Sequence, residues 1–118
     1  MDHSTTLNDL KKTLEKFIQE RDWQQFHTPK NIVMALSVEV AELMELYLWT
    51  EQQDSFAVTQ EKLPYIKEEI ADILAYILCF CNATGIDISD AFFAKIEQNA
   101  HKYPIEKSRG KSTKYTKL

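Results

Sequence analysis

Two short acidic motifs embedded in long apolar helical stretches restrict this chain more than any other feature. Glu39-Val-Ala-Glu42 lies within SVEVAELMELYLW, and Glu69-Ile-Ala-Asp72 lies within KEEIADILAYIL. Each motif sets two carboxylates three residues apart, one turn along the same helix face. If two such faces meet, four carboxylates come together. Their mutual repulsion and lost hydration make that arrangement costly unless cations neutralise it. An all-oxygen ligand set suits a hard divalent ion, Mg²⁺ or Mn²⁺. The motifs therefore predict an all-α fold in which Glu39, Glu42, Glu69 and Asp72 line a metal site.

Periodicity supplies the helices. Leu7, Leu10, Leu14, Phe17 and Ile18 follow helical spacing, so residues 6–22 predict an amphipathic helix capped by Thr5 or Thr6. Thr28-Pro29 pairs an N-cap with a proline at the first helical position and opens a second helix, Pro29 to Thr50. Residues 51–62 (EQQDSFAVTQEK) are polar and predict a loop with at most a loose helical turn. Pro64 restarts a helix that runs to Thr84, with Gly85 at the left-handed position beyond its end. Asp87 or Ser89 caps a fourth helix, Ser89 to Tyr103, which Pro104 stops. Two Gly and three Pro are too few for a turn-rich β fold. The expected architecture is an oligomeric four-helix bundle over residues 1–104, with residues 105–118 as a separate tail.

Charge divides the chain at that point. The tail carries Lys107, Arg109, Lys111, Lys114 and Lys117 against Glu106, a net of +4 within a chain of net −4. Two readings compete: a solvated terminus, or cationic side chains that meet a polyanion held by metal ions on the acidic body. Cys79 and Cys81, the only cysteines, sit two apart in a helix and point different ways, which predicts no disulfide and a reduced, cytoplasmic setting. No apolar stretch is long enough to span a bilayer, and MDHSTTLNDLKK has no signal-peptide core, so no membrane association is expected.

Rival chemistries lack their residues. His3, His27 and His101 stand in no Glu-x-x-His motif, which argues against a ferritin-like di-iron site, and the Cys and His are not spaced as zinc ligands. Two glycines cannot build a phosphate loop. A nucleotide would have to be held by metal, aromatic rings and basic side chains. At about 100° per residue, Tyr76 stands one turn above Asp72 and Trp49 one turn beyond Leu46, so each acidic motif has an aromatic farther along roughly the same side. A metal beside aromatic faces can hold a phosphate and a nucleobase together. The plainer alternatives are a solvated acidic face and core packing for Trp23 and Trp49.

The ordered series E-x-x-E, 26 intervening residues, then E-x-x-D resembles the MazG-like all-α nucleoside triphosphate pyrophosphohydrolases. Arg21-Asp22-Trp23-x-Gln25-Phe26-His27-x-Pro29-x-Asn31, Leu48-Trp49, Lys102-Tyr103-Pro104 and Lys114-Tyr115-Thr116 resemble the dCTP pyrophosphatase branch. The likeness extends from about residue 7 to the end. It implies that Glu39, Glu42, Glu69 and Asp72 are catalytic Mg²⁺ ligands, that Trp23, Trp49 and Tyr76 contact the nucleotide, and that Asn99 lies near the substrate. Arg109, Lys111 and Lys114 are the tail's candidate phosphate binders, and the resemblance favours the Lys114 segment. It also implies a homo-oligomer, dimer or tetramer, and no nucleic acid polymer as partner. One position departs. The branch carries a substrate-contacting His nine residues before the Trp that Trp23 matches, and here Leu14 stands there, so base preference does not carry over.

The expected activity is Mg²⁺-dependent cleavage of a (deoxy)nucleoside triphosphate, dCTP or a related one, between the α and β phosphates, in nucleotide-pool sanitation. The alternative is a non-catalytic helical module that holds a partner protein in the acidic groove or on its dimer face.

Overall fold

A computed structural model describes residues 1–118. It contains helices and turns and no strand: α1 (Leu7–Glu20), α2 (Pro29–Glu45), α3 (Ser55–Glu61), α4 (Leu63–Thr84), α5 (Ile88–Lys102) and α6 (Ile105–Ser108), with single 3₁₀ turns at Gln24–Phe26, Gln52–Asp54 and Tyr115–Lys117. The four long helices are those the periodicity predicts, and the all-α class holds.

Most boundaries follow from capping chemistry. Thr6 Oγ1 accepts from the Asp9 amide at 3.1 Å while Asp9 accepts from the Thr6 amide at 2.9 Å, a reciprocal capping box at the head of α1. Thr28 Oγ1 accepts from the Asn31 amide at 3.3 Å, and Pro29 occupies the first turn of α2. Asp87 Oδ1 accepts from the Asp90 amide at 3.0 Å and opens α5. Gly85, at φ 75°, ends α4 in the left-handed region that only glycine enters without steric cost.

Two expectations are corrected between Glu45 and Leu63. The second helix stops at Glu45 and does not continue to Thr50. Tight i→i+3 bonds take over, from Tyr47 to Met44 at 3.0 Å and from Leu48 to Glu45 at 3.2 Å. The Lys62 ammonium donates to the Leu46 carbonyl at 2.8 Å, satisfying a helix-end acceptor from 16 residues away. Trp49 then takes φ 65°, rare for a bulky side chain. The polar segment expected as a loop is largely the helix α3, held where the Tyr47 and Thr59 hydroxyls share a hydrogen bond.

Two compact units divide the chain, Met1–Gly85 and Ile86–Leu118. In the first, α2 and α1 each pack against α4. Ile18, Ile32 and Cys79 form the buried centre, with Leu14, Tyr76 and Phe80 packed around them. The Asn82 amide donates to the Lys11 carbonyl at 3.1 Å and ties α4 to α1. In the second unit the cationic tail folds onto the end of α5. Tyr115 meets Tyr103 edge to face at 5.8 Å, and the Lys102 ammonium lies 4.8 Å from the Tyr115 ring centre. No single helix is long and apolar enough to cross a membrane.

Candidate metal and nucleotide site

The packing of α2 on α4 brings the two acidic motifs together. Carboxylate oxygens of Glu39, Glu69 and Asp72 all lie within 4.8 Å of one another. Glu42 sits one turn from Glu39, exposed and outside this triad, yet near enough to act on its charge. Glu39 Oε2 and Glu69 Oε2 are both buried, and neither has a hydrogen-bond donor. The Glu39 carboxyl is pushed up to about 7, first by the neighbouring Glu69 carboxyl, then by burial, then by Glu42 and Asp72. Buried oxygens without donors and a carboxyl pushed upward are what crowded carboxylates show when like charges face one another. Oxygen-only donors at this spacing fit a hard divalent ion, which Glu39, Glu69 and Asp72 would hold with Glu42 alongside.

A cavity of about 260 Å³ opens beside the acids, and Asp72 belongs to both. Its walls include Leu14, Phe17, Trp23 and Tyr76, with His27 and Cys79. Phe17 and Trp23 meet edge to face at 5.8 Å, and the Arg21 guanidinium lies 3.7 Å from the Phe17 ring centre. Burial and then the charges of Glu39 and Asp72 raise the Tyr76 phenol, so its hydroxyl stays a donor. Rings on several sides with a few polar groups describe a slot for a flat ligand.

The structure thus gathers Glu39, Glu69, Asp72, Trp23 and Tyr76, with Glu42 adjoining. Trp23 is 42% exposed, which disposes of the core-packing alternative for it. Trp49 is 92% exposed and lies outside the aromatic cavity, because α2 ends before the helical line from Glu42 reaches it. Asn99, Arg109, Lys111 and Lys114 belong to the second unit: Asn99 half-buried on α5, Arg109 just past α6, the two lysines exposed beyond it. Phe17, His27 and Cys79 are cavity residues that sequence reasoning missed. Phe17 lies on the apolar face of α1 with Leu14 and Ile18, and that periodicity alone could have placed it. Nothing local links His27 to Cys79.

Fold and site together define a helical protein with a cluster of carboxylates, of a kind that can hold a metal ion, beside an aromatic slot. Residues 34–118 match the MazG-like family, and the chain belongs to that family. It is 37% identical over 115 residues to dCTP pyrophosphatase 1 of Bos taurus, covering 96% of this chain and 68% of the relative. The Homo sapiens protein of the same name is 36% identical over 117 residues, with the same coverage. The crystal structure of a pyrophosphatase from Archaeoglobus fulgidus superposes with a TM-score of 0.81 at 38% identity, covering 83% of this chain and 92% of that one.

Proposed function

We propose that this protein is a Mg²⁺-dependent nucleotide pyrophosphohydrolase that cleaves a deoxynucleoside triphosphate, dCTP or a related one, to the monophosphate and pyrophosphate. The observation that carries this reading is Asp72, which lies in both the carboxylate triad and the aromatic cavity. A nucleotide whose base enters the cavity has its phosphates at the acids. Divalent ions in such sites neutralise phosphate charge and acidify water. The chain's own part is to hold that charge with Glu39, Glu69 and Asp72, to stack the base on Trp23 and Tyr76, and to receive the proton of the attacking water on one of the four carboxylates. Arg109, Lys111 and Lys114 supply positive charge for the phosphates, and Asn99 a polar contact to the substrate.

We also infer a homo-oligomer. Helix α2 is apolar on more than one side, leaving Val33, Met34, Val38 and Met44 each about half exposed or more. An apolar surface of this extent marks an interaction face, and the self-association expected of the bundle, as dimer or tetramer, would cover it and shelter Trp49. The two cysteines form no disulfide, in keeping with a cytoplasmic setting.

Pyrophosphate release from a panel of deoxynucleoside triphosphates, with and without Mg²⁺, tests the assignment. Release that requires the ion, and that falls about 100-fold or more in Glu42→Gln or Asp72→Asn with helicity retained, is expected. Near-normal turnover in either variant at saturating Mg²⁺ refutes the site. A non-catalytic module would release no pyrophosphate at all.

A further inference from the structure

Trp23, a wall of the aromatic cavity, leaves the end of α1 through a left-handed turn that carries no glycine. The Trp23 amide donates to the Ile18 carbonyl at 3.1 Å, and the Asp22 amide donates to the Gln19 carbonyl at 3.0 Å. Those two bonds make a Schellman motif, whose left-handed residue is usually glycine. Here it is Asp22, at φ 54°. Aspartate enters that region more readily than most side chains, but its Cβ still costs what glycine avoids. Neighbouring side chains brace the turn against that cost. The Gln25 side-chain amide donates to the Asp22 carbonyl at 3.0 Å and to its carboxylate at 3.2 Å. The Phe26 amide donates to the Trp23 carbonyl at 3.0 Å. Both backbone polar groups of Trp23 are therefore pinned, and its ring grows from a fixed root.

The ring is held from a second side. Arg21 Nη1 donates to the Phe17 carbonyl at 3.0 Å, one turn back along α1. That bond folds the side chain over its own helix and sets the guanidinium 3.7 Å from the Phe17 ring centre. Phe17 in turn meets Trp23 edge to face, at 5.8 Å and 76° between planes. Phe17 and Trp23 are 44% and 42% exposed, so burial alone does not fix either ring. Directional contacts do, and they form a chain from Arg21 through Phe17 to Trp23. Neither Arg21 nor Asp22 is among the residues that wall the cavity.

Resting on the function proposed above, we propose that Arg21 and Asp22 are positioning residues for the nucleotide. Asp22 sets the backbone from which Trp23 enters the cavity wall, and Arg21 sets the Phe17 ring on which Trp23 leans. Each acts through Trp23 and not by touching substrate.

The test has two readouts in the wild type, Arg21→Gln, Asp22→Gly and Asp22→Val. One is KM and kcat, with Mg²⁺, for the deoxynucleoside triphosphate that the wild type cleaves fastest. The other is the ¹⁹F NMR spectrum of nucleotide-free protein labelled with fluorotryptophan, the Trp23 resonance being assigned by its loss in Trp23→Phe. Arg21→Gln changes an exposed side chain and should fold as the wild type does. Valine is β-branched and opposes the left-handed turn. Both variants should shift or broaden the Trp23 resonance and raise KM about threefold or more with kcat little changed, because part of the stacking on Trp23 is lost. Asp22→Gly adopts the same φ without a Cβ and should keep both readouts near the wild type. A residue that served stability alone would lower the melting temperature and leave the resonance and KM of the folded protein as they were. Should Asp22→Val fail to fold, Arg21→Gln decides. An unmoved Trp23 resonance in Arg21→Gln, or a moved one with wild-type KM, overturns the proposal and leaves the hydrolase assignment standing. A wild type that cleaves no deoxynucleoside triphosphate overturns both.

Discussion

Glu39 is where the fold stores its largest electrostatic conflict. Its carboxyl, ordinarily at 4.5, is pushed up to about 7 by Glu69, burial, Glu42 and Asp72. Between those values the folded state binds more protons than the unfolded state, so the contribution to stability is full below pH 4.5 and is lost as pH rises through 7. Metal-free protein should therefore melt at lower temperature at pH 8 than at pH 5, and Mg²⁺ should restore much of the difference by displacing the proton. Glu39→Gln should flatten that profile in melts followed by circular dichroism. An equally steep profile in Glu39→Gln would assign the pH dependence to another group. The acids were legible in the sequence because a three-residue spacing on an apolar helix fixes their common face. The helical line expected from Glu42 to Trp49 does not form, because α2 ends at Glu45. The His27–Cys79 contact was invisible because it spans two elements and no local pattern encodes it.

Elements whose ends carry capping chemistry fell close to where the sequence puts them. Thr6, Thr28, Asp87 and Gly85 each mark a boundary through a hydrogen bond or a left-handed turn that one residue type supplies. The region between α2 and α4 did not, because its order comes from tertiary partners: Lys62 on the Leu46 carbonyl, and Tyr47 on Thr59. Removing the first partner should expose the effect. Lys62→Met leaves the Leu46 carbonyl without its donor and should cost about 1 kcal/mol in urea denaturation. Ile32→Ala, at the best-buried position where α2 joins the core, should cost about 2–5 kcal/mol in the same experiment. Equal losses would mean that the connection is as central to the fold as the core.

At the scale of the molecule, charge is unevenly spread: residues 105–118 carry a net of +4 within a chain of net −4, and the proposed role of that tail is phosphate binding. Deleting residues 106–118 should leave a helical protein with catalytic efficiency reduced about 100-fold or more. Full activity after that deletion would make Arg109, Lys111 and Lys114 bystanders. Sedimentation of the wild type should give a dimer or tetramer, and Met34→Glu with Val38→Glu should shift it toward the monomer by placing charge on the apolar face. A wild type that sediments as a monomer at high concentration would contradict the interface. The class of fold and the common face of the clustered acids follow from periodicity, whereas assembly depends on surfaces whose complement lies outside one chain. In the function proposed above, Glu39, Glu69 and Asp72, joined to the aromatic cavity, serve cleavage of a nucleotide between its first two phosphates. ³¹P NMR of dCTP incubated with the protein and Mg²⁺ tests it most directly. Equal amounts of dCMP and pyrophosphate are expected, with none formed when the ion is chelated; orthophosphate and dCDP, or unaltered dCTP alongside the other deoxynucleotides, would refute the proposed cleavage.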